Sequence, residues 1–154
     1  MKANGKHHLL YPMTTFLITS RYKDKNNVMT ANWVMPASFN PFLVAVAIGK
    51  SRYTYELIKK SKYFGIAVPP YEMKNIVLSC GSESGKNINK FERYKIKFEI
   101  DEVPIIKGCD NLICKVRNEI ETGDHVIFIG EVIKIYEERK DKKIVYTGED
   151  FIQV

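Results

Sequence analysis

The apolar residues of this chain fall in short runs of strand length, cut apart by turn residues, and this pattern constrains the fold more than any other feature. Residues 13–20 are rich in β-branched and apolar side chains and end at the polar turn 24–27, after which 28–34 returns as a second strand. Pro36 and Pro41 punctuate the next loop. Residues 42–48 then read as a strand buried on both faces and stopped by Gly49. A short strand at 64–68 is closed by Pro69 and Pro70. The second half predicts strands at 94–100, 103–106, 111–120, 125–136 and 143–147, with Gly123 and Asp124 as a turn.

Two helices interrupt the strands. Tyr55, Leu57 and Ile58 share one side of a segment for which Ser51 or Thr54 is available as N-cap. Met73, Ile76, Val77 and Cys80 repeat at three and four residues, predicting a helix over 72–79, followed by a loop over 81–87. Evenly spaced strands with few helices predict a mainly β protein, a closed antiparallel barrel with helical insertions. With no repeat, linker or low-complexity tract, residues 1–154 read as one domain.

Composition narrows the function. At 45% hydrophobic residues the chain can bury a core without disulfides or a structural metal. No apolar run reaches the ~18 residues of a membrane span, and residues 1–8 lack the apolar stretch of a signal peptide, so a cytoplasmic protein without a membrane partner is expected. Cys80, Cys109 and Cys114 form no C-x-x-C pair and read as small buried hydrophobes. The net charge of +6 is spread along the chain with no Lys/Arg cluster interleaved with aromatics, which argues against a nucleic-acid face. It suits a protein that holds phosphates and attracts an anionic dinucleotide.

The familiar nucleotide and catalytic loops are missing. There is no G-x-G-x-x-G and no P-loop. Gly81-Ser82-Glu83-Ser84-Gly85 places Glu where a nucleophile elbow needs Ser. His7, His8 and His125 have no metal-ligand spacing with each other or with the cysteines.

Other segments carry chemistry. Gly49-Lys50-Ser51-Arg52-Tyr53-Thr54 links a buried strand to a helix start, where free N–H groups attract an anion and Arg52 adds a bidentate donor beside two hydroxyls. Ordinary capping beside a solvated Arg52 is the other account of it. Thr30-Ala31-Asn32-Trp33 offers small side chains and an amide on an extended segment; packing of Trp33 in the core is the alternative. His125 opens a strand after Gly123-Asp124 and is read either as a site residue or as a structural one.

Taken together, segments 27–33, 36–41, 50–54 and 123–132 resemble the flavin-reductase-like family, whose fold is an FMN-binding antiparallel split β-barrel. The resemblance runs over nearly the whole chain. It implies that Thr30, Ala31, Asn32 and Trp33 lie along the flavin with Ser38 nearby, and that Lys50, Ser51, Arg52 and Thr54 hold its phosphate. Residues 84–91 resemble a family loop with a Ser-Gly pair and a later basic-aromatic pair. Ser84 and Gly85 would then border the flavin, with Lys86 and Lys90 as cations that stabilise its reduced form. His125 would stand near flavin and nicotinamide, orienting or polarising.

The family likeness further implies a homodimer with the flavin near the subunit interface, and hydride transfer from NADH or NADPH to FMN. The acceptor would be another flavin, a ferric complex or a redox partner protein. Two rival readings stay open from sequence: a flavoredoxin-like electron carrier that never meets a nicotinamide, and a nucleic-acid-binding β-barrel. Arg52→Ala should weaken FMN retention more than Lys140→Ala, chosen as a surface control.

Overall fold

The computed structural model describes residues 5–138 and 142–154; Lys140 lies outside them. Twelve strands are described: β1 (Met13–Thr14), β2 (Phe16–Tyr22), β3 (Lys25–Ala31), β4 (Val34–Ser38), β5 (Leu43–Gly49), β6 (Tyr63–Val68), β7 (Phe98–Ile100), β8 (Pro104–Ile106), β9 (Asp110–Glu121), β10 (His125–Tyr136), β11 (Ile144–Tyr146) and β12 (Phe151–Gln153). Three α-helices accompany them, α1 (Tyr53–Ser61), α2 (Lys74–Ser82) and α3 (Lys90–Arg93), with 3₁₀ turns at His7–Leu10 and Tyr71–Met73.

Seven strands form one antiparallel sheet in the order β3-β2-β6-β9-β10-β5-β4. The expected closure is absent: β3 and β4 stand at opposite ends of that order and do not pair. The chain leaves β3 after Ala31 and re-enters the sheet beside β5, where Val34 opposes Val46, so the seam stays split.

Alternation along β2 divides the interior in two, because successive side chains point to opposite faces. Ile18 joins Val46, Ile48, Phe64 and Phe128, with Ile58 of α1 among them. Its neighbour Leu17 joins the other cluster with Val28, Val77, Phe91 and Ile106, beneath α2 and α3. Gly130 lets β10 cross the first cluster, since a Cβ there would sit 2.5 Å from the Phe64 ring.

Three local expectations are corrected, and one strand was not expected. The turn after β2 is at Lys23 and Asp24, with Lys23 at φ 56°, so Lys25 already pairs with Tyr22 and Asn27 is a strand residue. Residues 90–93 are helical rather than leading into a strand at 94, because the Asn89 side chain accepts hydrogen bonds from the Phe91 and Glu92 N–H groups at 3.1 and 3.3 Å. Neither Ser51 nor Thr54 caps α1, whose N-cap is Arg52 without a side-chain bond. The strand at 151–153 carries no sequence signal of its own and forms by pairing with β11.

The three cysteines are buried, as expected, and none is joined in a disulfide. Burial pushes the Cys80 thiol up to about 11 and the Cys114 thiol to about 12. Among the described residues no helix is long and apolar enough to cross a membrane.

Candidate functional site

Four segments meet at one cavity of about 100 Å³: Asn27, Met29 and Thr30 of β3, Ser51 to Thr54 at the start of α1, Cys80 and Gly81 of α2, and the loop of Glu83, Ser84 and Gly85, with Lys90 behind them. The turn into α1 is set by Arg52 N donating to Gly49 O at 3.0 Å. In the first helical turn the Tyr55 N–H donates to Arg52 O at 3.1 Å, which leaves the N–H groups of Tyr53 and Thr54 without intrahelical acceptors.

Lys90 is the chemical centre of the cavity. It is only 4% exposed. Its ammonium donates to Val28 O and to Cys80 O, both at 2.8 Å. Desolvation drives its pKa below the ordinary lysine value, and the neighbouring Arg52 charge pushes the same way. No described carboxylate forms a salt bridge with it, and two carbonyls leave one of its three donors unspent. A desolvated cation with a spare donor, beside an arginine, three hydroxyls and free N–H groups, is complementary to a phosphate.

The walls are tied together by hydrogen bonds and a close contact. Asn27 donates through Nδ2 to the buried Thr54 hydroxyl at 2.9 Å, which leaves the Thr54 O–H free to donate onward. Gly85 lies against the Asn27 carboxamide, where a Cβ would overlap Oδ1. Thr30 lines the cavity, with its hydroxyl donating to Val77 O at 2.5 Å.

Next to the cavity, Gly49 joins it to a second group of residues. A Cβ on Gly49 would touch Arg52 Cγ at 3.5 Å and His125 Nε2 at 3.7 Å. His125 pairs with Gly49 across β10 and β5. Its ring lies 4.7 Å from that of Trp33, inclined by 33°. The Nδ1 atom is 2.6 Å from Asp124 Oδ1, and this hydrogen bond pulls the Asp124 carboxyl below its usual range. An ionised carboxylate only accepts, so Nδ1 carries the hydrogen and Nε2 is turned toward Gly49.

Trp33 is 37% exposed, not a core residue. It borders an apolar cleft of about 600 Å³ with Asn32, Met35, Phe16 and Leu10. Asn32 donates to the Thr15 hydroxyl at 2.7 Å, which ties the β3–β4 link to the residue that joins β1 and β2.

The structure therefore brings Thr30, Ser51, Arg52, Thr54, Ser84, Gly85 and Lys90 together, with His125 and Trp33 adjoining across Gly49. It does not bring in the others. The Lys50 ammonium reaches out to Glu121 at 2.6 Å. Lys86 is paired with Glu56 at 2.6 Å. The Ala31 side chain is in the core, and Ser38 lies in a separate hollow with Phe39 and Phe42. Sequence reasoning missed Asn27, Met29, Tyr53, Cys80 and Glu83. Asn27 read as a turn residue and Cys80 as packing; only the crossing of β3 by α2 turns both toward the cavity.

The description "Flavin reductase like domain" fits residues 8–154. This chain belongs to the flavin reductase-like family. An uncharacterized protein of Archaeoglobus fulgidus is 47% identical to this flavin reductase-like chain over 130 residues, covering 82% of it and 73% of the relative. Flavoredoxin from Methanosarcina acetivorans superposes with a TM-score of 0.88 at 28% identity, covering 100% of this chain and 90% of that one. An FMN-binding protein from Thermus thermophilus superposes at 0.90 and 23% identity, covering 99% and 92%, a likeness of fold. The architecture is the split barrel of flavin reductases, mainly β as expected.

Proposed function

We propose that this flavin reductase-like protein binds FMN by its phosphate at the Arg52–Lys90 cavity and is reduced by NADH or NADPH. The observation that carries the reading is the buried Lys90 ammonium, held by two carbonyls and in no salt bridge among the described residues, facing the same cavity as Arg52, Ser51 and Thr54. Such an arrangement is costly unless an anion completes it. FMN bound there would supply the redox chemistry, taking a hydride from the nicotinamide and passing electrons to a flavin, a ferric complex or a redox partner.

The protein's own part is placement and charge. Arg52 and Lys90 hold the phosphate, with hydroxyls of Ser51, Thr54 and Ser84 around it. Trp33 and His125 stand one strand position away, at the end where the ring would lie. Asp124 fixes the tautomer of His125, so Nε2 is presented to the ligand side.

A homodimer is part of this proposal. Leu10, Trp33, Met35, Phe39 and Phe42 are large apolar residues left exposed along the cleft and hollow on the β4 side. A contiguous apolar face of this kind is the usual mark of an interface. Light scattering during size-exclusion chromatography checks it, and one subunit at every concentration overturns it.

Absorption spectra of the purified protein with added FMN, before and after anaerobic NADH and then NADPH, test the function. A flavin spectrum bleached by either nucleotide is the expected result. Bound flavin that neither nucleotide bleaches would leave the electron-carrier reading, and a protein that retains no FMN would end both.

A further inference from the structure

Glu83 is a carboxylate in the wall of a cavity suited to an anion. It follows directly on α2 in extended conformation, at φ −122° and ψ 154°, and lines the cavity beside Ser84 and Gly85. The same wall holds Arg52 and Lys90, and Glu83 is the only carboxylate among the lining residues. It is in no salt bridge among the described residues. Lys90 is held instead by the Val28 and Cys80 carbonyls.

The Glu83 charge is nevertheless felt inside. Desolvation lowers the Lys90 pKa, and the Glu83 charge works against that shift. A phosphate seated on Arg52 and Lys90 shares the cavity with this carboxylate, and like charges at close range repel. Glu83 thus offsets one of the two cations that face the phosphate.

The fold also offers this carboxylate a second place. Tyr94 follows α3, four residues after Lys90, and its hydroxyl is buried with no hydrogen bond completed. The large majority of buried side-chain hydroxyls are paired, so this one calls for an acceptor. Burial raises the Tyr94 pKa, and Glu83, the acceptor within its reach, raises it further.

We propose that Glu83 is the counter-charge that sets the affinity of the phosphate cavity: it offsets Arg52 and Lys90 in the absence of ligand and turns to accept the Tyr94 hydroxyl when a phosphate monoester enters. Binding then works against the Glu83 charge, and the flavin is held less tightly than the two cations alone would hold it. The inference rests on the flavin-phosphate reading of this cavity.

Fluorescence titrations of FMN and riboflavin into the full chain test it, in wild type, Glu83→Gln, Tyr94→Phe and the double variant. Riboflavin carries the same ring and ribityl chain without the phosphate. Expected is FMN bound about tenfold more tightly by Glu83→Gln, with riboflavin changed by no more than about twofold. Tyr94→Phe should weaken FMN about threefold when Glu83 is present and leave it unchanged when residue 83 is already Gln, because the two side chains act as a pair. FMN affinity that is unchanged or lowered in Glu83→Gln, or raised equally with that of riboflavin, overturns the counter-charge. Equal effects of Tyr94→Phe in both backgrounds overturn the turn onto Tyr94. Each of these results leaves the phosphate cavity standing. A wild type that binds FMN no more tightly than riboflavin removes the phosphate reading, and this inference with it.

Discussion

Gly85 rests on the carboxamide of Asn27 with no room for a side chain between them. Because Asn27 also donates to Thr54 Oγ1 at 2.9 Å, the loop, β3 and the start of α1 are locked through one amide. Gly85→Ala must either lift the loop or turn the amide out of that bond. Overpacking of this kind costs about 1–3 kcal/mol. The expected outcome is a lower melting temperature and FMN affinity reduced by about tenfold or more, read by thermal unfolding and a fluorescence titration. Unchanged FMN affinity would show that the loop is no wall of the site.

Arg52→Ala removes the exposed cation at the mouth of the cavity without touching the core. Hydrogen bonds to charged groups are worth about 1.5–3 kcal/mol, so FMN should bind about ten- to a hundredfold more weakly. Lys115→Ala, an exposed site on β9 far along the sheet, is the control. Equal FMN retention in the two variants would take Arg52 out of the site.

Lys90→Met keeps an unbranched side chain one atom shorter and removes the charge. The Lys90 pKa is lowered in the fold, so the unfolded chain binds the extra proton between that lowered value and 10.5, and stability rises with pH across that window. In the methionine variant that rise should be absent in urea unfolding measured from neutral pH up to about 10. The Val28 and Cys80 carbonyls lose their donor, which costs about 1–3 kcal/mol for a buried group. FMN affinity should fall as well; a variant that keeps both its alkaline stability gain and its flavin would contradict the placement of Lys90.

Asp101, remote from the cavity, contributes to the acid dependence of the fold. Its Oδ2 accepts from Lys134 Nζ at 2.7 Å and from Tyr136 Oη at 2.6 Å. These bonds hold its carboxyl down to about 2, from 3.8. A depressed carboxyl contributes stability above its unfolded value and loses it as pH falls toward the folded one. Asp101→Asn should therefore be less stable at neutral pH and show a flatter stability curve between 3.8 and about 2. Denaturant melts across that range check it, and an unaltered acid slope would refute it.

Much of the fold could be read along the chain because strands and turns leave local marks. The run predicted at 125–136 is β10 residue for residue, and the apolar run before Gly49 is β5 shifted by one. Where local marks conflict, the structure decided otherwise. Alternation in 94–100 suggested a strand, but the Asn89 side chain nucleates a helical turn just ahead and leaves only 98–100 paired with β8. Closure of the barrel has no local mark at all, since it depends on whether two edge strands distant in sequence meet.

The site divides in the same way. An anion site after Gly49 is one of the two readings the sequence allows, ordinary capping being the other: a strand that ends in a glycine and turns into a helix start exposes N–H groups, and Arg52 with two hydroxyls is fixed there by covalent neighbourhood. Which lysine faces the cavity does not follow from sequence. Lys50, Lys86 and Lys90 look alike on the chain, yet Glu121 and Glu56 draw the first two away while the Val28 and Cys80 carbonyls hold the third inside. A lysine's role depends on burial and on partners, here 71 positions away for Lys50, 30 for Lys86, and 62 and 10 for Lys90, and those are properties of the packed sheet and helices.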